Sequence, residues 1–303
     1  MWFKAVRLYR LSPDFKLDPA TLEEKLETQS FQPCGKSEAS RVGWVSPLGR
    51  EGELLHHWLG DCVMVCLRKE ERLLPSAVIN EAVQEKVDEI EEAQARKVYR
   101  KEKQQIKDEV VATLMPRAFT RSRVLYAYLD LKNHLLVVNG GSTAAGEELI
   151  SCLRESLGSL PVRLPDVNHA PMAVMTQWLR DHQASDHFVL DQDCELVNPL
   201  EEGNVVRARS QDLSADEIRA HLEAGKQVRK LGVVWNDAVA LVINADLSLS
   251  RLRFEDMVLE KSRETDAESA AQQFDQDFAV MSLTLAGLFD SLFAAFGGLT
   301  DYE

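Results

Sequence analysis

Between Ser76 and Leu114 the apolar residues follow a helical period, lose it, and recover it, while the segments on either side alternate like strands. Val78, Ile79, Ala82, Val83, Val87 and Ile90 recur at steps of three and four, with Ser76 placed to cap the helix. From Glu91 to Gln105 only small residues, Val98 and Tyr99 remain, so this stretch cannot bury a wide face. Ile106, Val110, Val111 and Leu114 restore the stripe, and Pro116 stops it. Such a pattern either projects from the body as one helix or folds back as a hairpin. Both give a helical protrusion inserted between strands.

The flanks supply those strands. "WFKAVRLYRL" alternates up to Ser12-Pro13; Asp18 then caps a short helix with Pro19 at its first position. "GWVSPLG" and "ELLHHWLGDCVMVCLRKEERLLP" read as further strands, and "RVLYAYLDLKNHLLVVNGG" as a hairpin turning near Lys132-Asn133-His134. Leu149, Leu153 and Leu157 align on a helix closed by Gly158 and Pro161. The second half offers a helix from Pro171, two strands, a helix whose Ser214 and Glu217 spell a capping box, and a three-strand meander. A long final helix carries Phe274, Phe278, Leu285, Leu288, Leu292 and Phe296 and stops at Gly297-Gly298. The fold class is α+β: mixed antiparallel sheets with packed helices and a projecting helical tip. The proline-bearing loop "VRLPDVNHAP" divides the halves. This predicts a discontinuous central domain over 1–75 and 120–164, a tip over 76–119 and a base domain over 165–303.

A chain of 303 residues with 45% hydrophobic content can bury more than one core. No run approaches the roughly 18 uninterrupted apolar residues of a membrane span, and the first residues lack the order of a signal peptide, so a cytoplasmic protein is expected. Five cysteines without CxxC pairing indicate buried, reduced thiols rather than a disulfide framework or zinc site. The net charge of −14 excludes a uniformly basic coat but not a segregated one. From Arg96 to Arg123 nine basic residues face three acidic ones, whereas from Glu255 to Glu303 eleven acids face Lys261 and Arg263.

No enzyme signature emerges. "NGGSTAAGEEL" lacks the spacing and lysine of a P-loop and the pattern of a dinucleotide site; the seven histidines show no metal-ligand spacing; no serine elbow or Cys-His nucleophile appears. Neither cofactor nor metal is implied. Helix-turn-helix, zinc-finger and RRM signatures are also missing, so DNA binding would rest on phosphate charge rather than base reading. In "TLMPRAFTRSRVLY", Phe119 sits among Arg117, Arg121 and Arg123, a pattern suited to phosphate contact and to a partner's pocket, or to an inward phenylalanine with solvated arginines. Arg96, Lys97, Arg100, Lys101 and Lys103 form either a phosphate-binding stripe or a solvated face balanced by Glu91, Glu92 and Glu102.

The phrases "FQPCG", "GWVSPLG", "LRKEERLLPSAVI", "EAQARKVYRKEKQQIKDEV", "LMPRAFTR", "SLGSLP", "RARSQDLSADEI", "HLEAGKQVRKLGVVW" and "FDQDFAVM" occur in order over nearly the whole chain. In this the chain resembles the RdgC family of bacterial recombination-associated proteins. The resemblance implies a nucleoid-associated, non-enzymatic protein that binds duplex DNA with little sequence preference, single strands being an open second ligand. It implies two crescent-shaped subunits joined into a ring-shaped homodimer with a positive channel, and restraint of RecA-type recombinase. Under it Arg96, Lys97, Arg117 and Lys226 face DNA, with Arg100, Lys101 and Arg121 extending the basic surface. Phe119 enters a partner's apolar pocket and Gln211 belongs to the ring contacts; Ser210 stands where some relatives carry a lysine. The alternatives are a metal-dependent nuclease and a protein-binding adaptor of recombination.

Overall fold

The computed structural model describes residues 1–201, 203–264 and 267–302; Asp266 and Glu303 of the acidic final segment lie outside them. The strands are β1 (Val6–Leu11), β2 (Ser40–Val45), β3 (His56–Leu59), β4 (Cys62–Leu73), β5 (Phe119–Asp130), β6 (Leu135–Asn139), β7 (Val162–Arg163), β8 (Phe188–Val197), β9 (Val205–Ala208), β10 (Gln227–Trp235), β11 (Val239–Asn244) and β12 (Leu249–Phe254). The helices are α1 (Pro19–Glu27), α2 (Ser76–Gln94), α3 (Arg100–Leu114), α4 (Thr143–Leu157), α5 (Pro171–Asp181), α6 (Asp216–Glu223), α7 (Asp256–Lys261) and α8 (Ala270–Ala295).

The expected separate sheets are one. A 12-stranded sheet runs β2-β4-β5-β6-β1-β12-β11-β10-β8-β9, with β3 on β4 and β7 on β1. Its strand pairs are antiparallel, and Val6 opposite Leu249 joins the two halves of the chain. The loop after α4 is likewise stitched down: β7 pairs with β1, and His169 N–H donates to Phe296 O at 2.9 Å.

Three apolar clusters follow from side-chain alternation. Val6 and Leu8 of β1, Met64, Tyr128 and the inner residues of β8 and β10–β12 pack with α5, α6 and α8. Tyr9, Leu11, Trp44, Val63, Val65, Leu67, Ala127 and Leu129 pack under α1 and α4 on the opposite face. Val83, Val87, Ile106 and Val110 close a small separate core between α2 and α3. Of the two arrangements open for the protrusion, the chain adopts the hairpin, because Ala95 takes a left-handed conformation (φ 49°) after α2.

The longest helix, α8, is apolar and long enough by length and composition to cross a membrane, and its inner side is buried on the sheet. Phe278 meets Tyr128 of β5 at 5.6 Å between ring centroids, and Phe296 stacks on Trp178 of α5 at 5.6 Å. Where α8 crosses β10, a Cβ on Gly287 would lie 3.2 Å from the Trp235 ring. The helix therefore bridges strands from both halves.

Two expected caps are not formed. Pro75 occupies the N-cap of α2 and Ser76 is already helical, with no side-chain bond. Ala215 is the N-cap of α6; the Ser214 hydroxyl donates instead to Asp212 Oδ1 at 2.7 Å, and Glu217 accepts from Gln211 Nε2 at 3.0 Å. Local competition of this kind is common for short polar side chains before a helix. Asp18 caps α1 as expected, accepting from Thr21 N at 3.0 Å.

At the far end of the sheet, Glu195 of β8 lies beneath three cations. It accepts from Arg207 Nε and from Arg229 Nε, each at 2.7 Å, and Lys230 Nζ is 3.5 Å away. Burial alone would raise its carboxyl, but the bonds from Arg207 and Arg229 and the nearby positive charge outweigh it and bring the pKa to about 2.

Two outcomes follow. Phe278→Ala removes a buried ring joining α8 to β5 and should cost about 3–5 kcal/mol in urea unfolding. For Glu195 the folded pKa is depressed, so its contribution is complete above the unfolded carboxyl's range and is lost as pH falls towards about 2. Glu195→Gln should therefore be less stable at pH 7 and show a smaller fall in urea midpoint between roughly pH 5 and pH 2.

Candidate nucleic-acid interface

β4 and β5 pair residue for residue from Cys62 opposite Asp130 to Leu73 opposite Phe119, but β6 pairs with β5 only at 127–130. The outer parts of β4 and β5, with β2 alongside, form an extension whose end carries α2 and α3. Phe119 through Val124 are all exposed. Phe119 is 85% exposed, opposite Leu73 at 46%, so the inward alternative for this ring does not hold. Alternation places Phe119, Arg121 and Arg123 on the α4 side. Arg123 lies 3.6 Å from both Glu71 and Glu148, and Lys69 also bonds Glu148, leaving that group balanced. Arg117 and Arg121 are exposed, with no carboxylate at salt-bridge distance among the described residues.

Arg72 anchors the outer end of the extension, where the tip joins it, donating to Ala118 O at 3.0 Å and Gly35 O at 3.1 Å. Beside it Glu70 accepts from Cys34 N at 2.9 Å and from the Ser122 hydroxyl at 3.1 Å. The Cys34 backbone bond is the main cause that holds the Glu70 carboxyl below its ordinary range. The "FQPCG" turn is thereby tied to the strands that bear the tip.

At the tip the expected stripe divides. Arg96 makes a two-pronged pair with Glu102, at 2.7 and 2.6 Å, and its Nε donates to Gln94 at 2.7 Å. That pair raises the arginine's pKa and lowers the glutamate's, and its charge is locally cancelled. Lys97, Arg100 and Lys101 are exposed and carry no ion pair among the described residues. Tyr99, 75% exposed, stands between them; an aromatic flanked by four cations was the available signal, and it suits stacking on bases.

Lys226 is only 8% exposed, and its ammonium reaches the side-chain and backbone oxygens of Asn204. It is a buried structural contact in the single chain rather than a surface cation. Gln211 N–H donates to Gln192 O at 3.2 Å, next to Ser210, whose backbone is left-handed (φ 49°) and whose N–H bonds Asp193 at 3.0 Å.

The sheet itself holds cations that sequence reading missed. In the second half one face is covered by α5, α6 and α8, while the other bears Arg207, Arg229, Lys230, Arg251 and Arg253 with Glu195 and Asp193. Two irregularities gather them. Val228 pairs with Leu196 and Lys230 with Glu195, so Arg229 is an extra residue and both cations reach Glu195. Arg251, with φ 54°, lies where β12 gains a residue on β11, and it pairs with Asp193. No group of three or more His, Cys, Asp or Glu side chains is placed to hold a metal ion among the described residues. The five cysteines are free; burial pushes the Cys62 and Cys66 thiols up to about 12, far from a nucleophile's range.

Comparison with known proteins places this arrangement in a family. A sequence model described as "Putative exonuclease, RdgC" matches residues 1–299. The recombination-associated protein RdgC of Pseudomonas putida strain KT2440 is 41% identical over 299 residues, covering 98% of each chain. That of Pseudomonas aeruginosa strain PAO1 is 42% identical over 299 residues with the same coverage, and that of Tolumonas auensis 41% over 298 residues, 98% of this chain and 99% of the relative. With full-length matches at this identity, the chain belongs to the RdgC family of recombination-associated proteins.

Proposed function

We propose that this protein binds duplex DNA through its phosphates, with little base preference, as a ring-shaped homodimer in the nucleoid, and restrains RecA-type recombinase by occupying DNA. One observation carries the reading: in a chain of net charge −14, cations cluster on the open sheet face and the tip. A field so divided attracts a polyanion to one surface while the remainder repels it. The exposed Phe119 and Leu73 at the end of the extension supply an apolar contact for a second copy. Lys97, Tyr99, Arg100, Lys101, Arg117 and Arg121 contact DNA; Arg96 and Lys226 chiefly hold the tip and the β9–β10 edge.

The family model's description favours a second reading, exonucleolytic cleavage. It requires ligands for a divalent ion, and the described carboxylates do not assemble such a group. End-labelled duplex incubated with magnesium or manganese should remain intact; turnover abolished by one acid substitution would establish the enzyme instead.

Replacing Arg100, Lys101, Arg117 and Arg121 together with Ala should flatten the slope of log affinity against log salt by up to about 0.9 per lost contact, measured by fluorescence anisotropy. Arg96→Ala should change it far less, because Glu102 already neutralises that charge. Phe119→Ala should weaken self-association by about 2–4 kcal/mol in sedimentation equilibrium while leaving the chain's own melting unchanged.

A further inference from the structure

α4 covers β1 only up to its first turn, where a Cβ on Gly146 would come within 2.7 Å of Tyr9 Oη and 3.6 Å of Arg7 Cδ. Beyond that turn the sheet is bare. At this step a cavity of about 450 Å³ opens, lined by Arg7 and Gly141 from the first half and by Arg229, Lys230, Asn244, Ser248 and Ser250 from the second, with Ala245 and Asp246. Arg7 is 6% exposed, an unusual position for a guanidinium. Its Nη2 donates to Asp246 Oδ2 at 3.0 Å and to Gly141 O at 3.4 Å, but its Nε has no hydrogen-bond partner among the described residues. A desolvated cationic N–H without an acceptor is costly. On the opposite wall Arg229 and Lys230 share Glu195, which itself lies outside the lining, and Asn244 Nδ2 is fixed by Ser248 O at 2.9 Å.

We infer that this cavity is a phosphate seat: Arg7, Arg229 and Lys230 supply the charge, Ser250 a hydroxyl donor, and the occupant is a phosphate oxyanion; the Ser248 hydroxyl is already given to Asp246 Oδ1 at 2.6 Å and serves to hold that loop. Three cations outnumber Asp246 and Glu195, and a phosphate, with more negative charge and more acceptor oxygens than a carboxylate, can engage more of these donors at once. The site spans both halves of the chain, so an occupant bonds both sides of the β1–β12 junction. That the phosphate belongs to a DNA backbone rests on the reading above; the seat itself does not.

Two arms separate these claims. In the first, inorganic phosphate is titrated into the full-length protein by calorimetry; in the second, a labelled duplex is bound across 50–200 mM salt. Arg7→Met, which keeps an apolar stem against α4, should abolish the phosphate heat and make affinity for the duplex about 3-fold less sensitive to salt over that range. Ser250→Asp, which keeps Arg7 and places a carboxylate at the rim, should act in the same direction if Arg7→Met does not fold. Phosphate heat that Arg7→Met removes, with an unchanged duplex slope, sustains the seat and assigns it to free phosphate. Should the wild type bind no duplex, the DNA reading fails and the phosphate arm alone decides the seat. No phosphate heat and an unchanged slope in a folded variant overturn it.

Discussion

The structure depends on backbone pairing across β1. A strand drawn from the start of the chain takes β6 on one side and β12 on the other, so hydrogen bonds that either half would leave at an open edge are satisfied by the other half. Helix α8 reinforces the join, its 26 residues spanning roughly 39 Å at 1.5 Å per residue. Tyr128, Trp235 and Trp178 then meet successive parts of one helix. What reads as two units in sequence is laid on one frame, and the cations of the second half hold fixed positions relative to Arg7 in the first.

The two faces of that frame have different fates. The first half is covered on both sides, by α1 and α4 and by α8, whereas the second is covered on one only. A half-covered antiparallel sheet ordinarily turns polar residues outward; here they are arginines held over buried or half-buried acids. Glu195 and Asp193 do not cancel this surface, because four cations share these two carboxylates, while Arg253 pairs with Glu255. They fix where the guanidinium groups lie, which reduces the conformational freedom lost when an anion binds.

Much of the element list was legible because its signals are local. Asp18 with Pro19, Gly158 after α4, the turn between Asp130 and Leu135, and the apolar stripe of α8 each act within a few residues. Long-range partners were not legible. Nothing near Val6 announces Leu249, and nothing near Arg229 announces the extra residue that turns it and Lys230 towards one glutamate. Lys226 was expected to face DNA, yet Asn204, from the loop before β9, takes its ammonium. For Arg96 the balancing alternative holds through Glu102, one of the three acids it named, while the bend at Ala95 that brings the two together was not announced. The Ser76 and Ser214 caps failed for a smaller reason: each helix begins one residue away from the position that the side chain would need.

The outer β4–β5 ladder has one more implication. Phe119, Arg121 and Arg123 share a side by strand alternation, and the register that sets Phe119 opposite Leu73 decides that this is the α4 side. A shift of β5 by a single residue would exchange the two sides, moving the aromatic ring and its guanidinium neighbours to where Thr120, Ser122 and Val124 now stand. Strand phase thus acts as the molecule's compass: a deletion or insertion in β4 or β5 would reverse the heading of the whole contact surface without altering its chemistry.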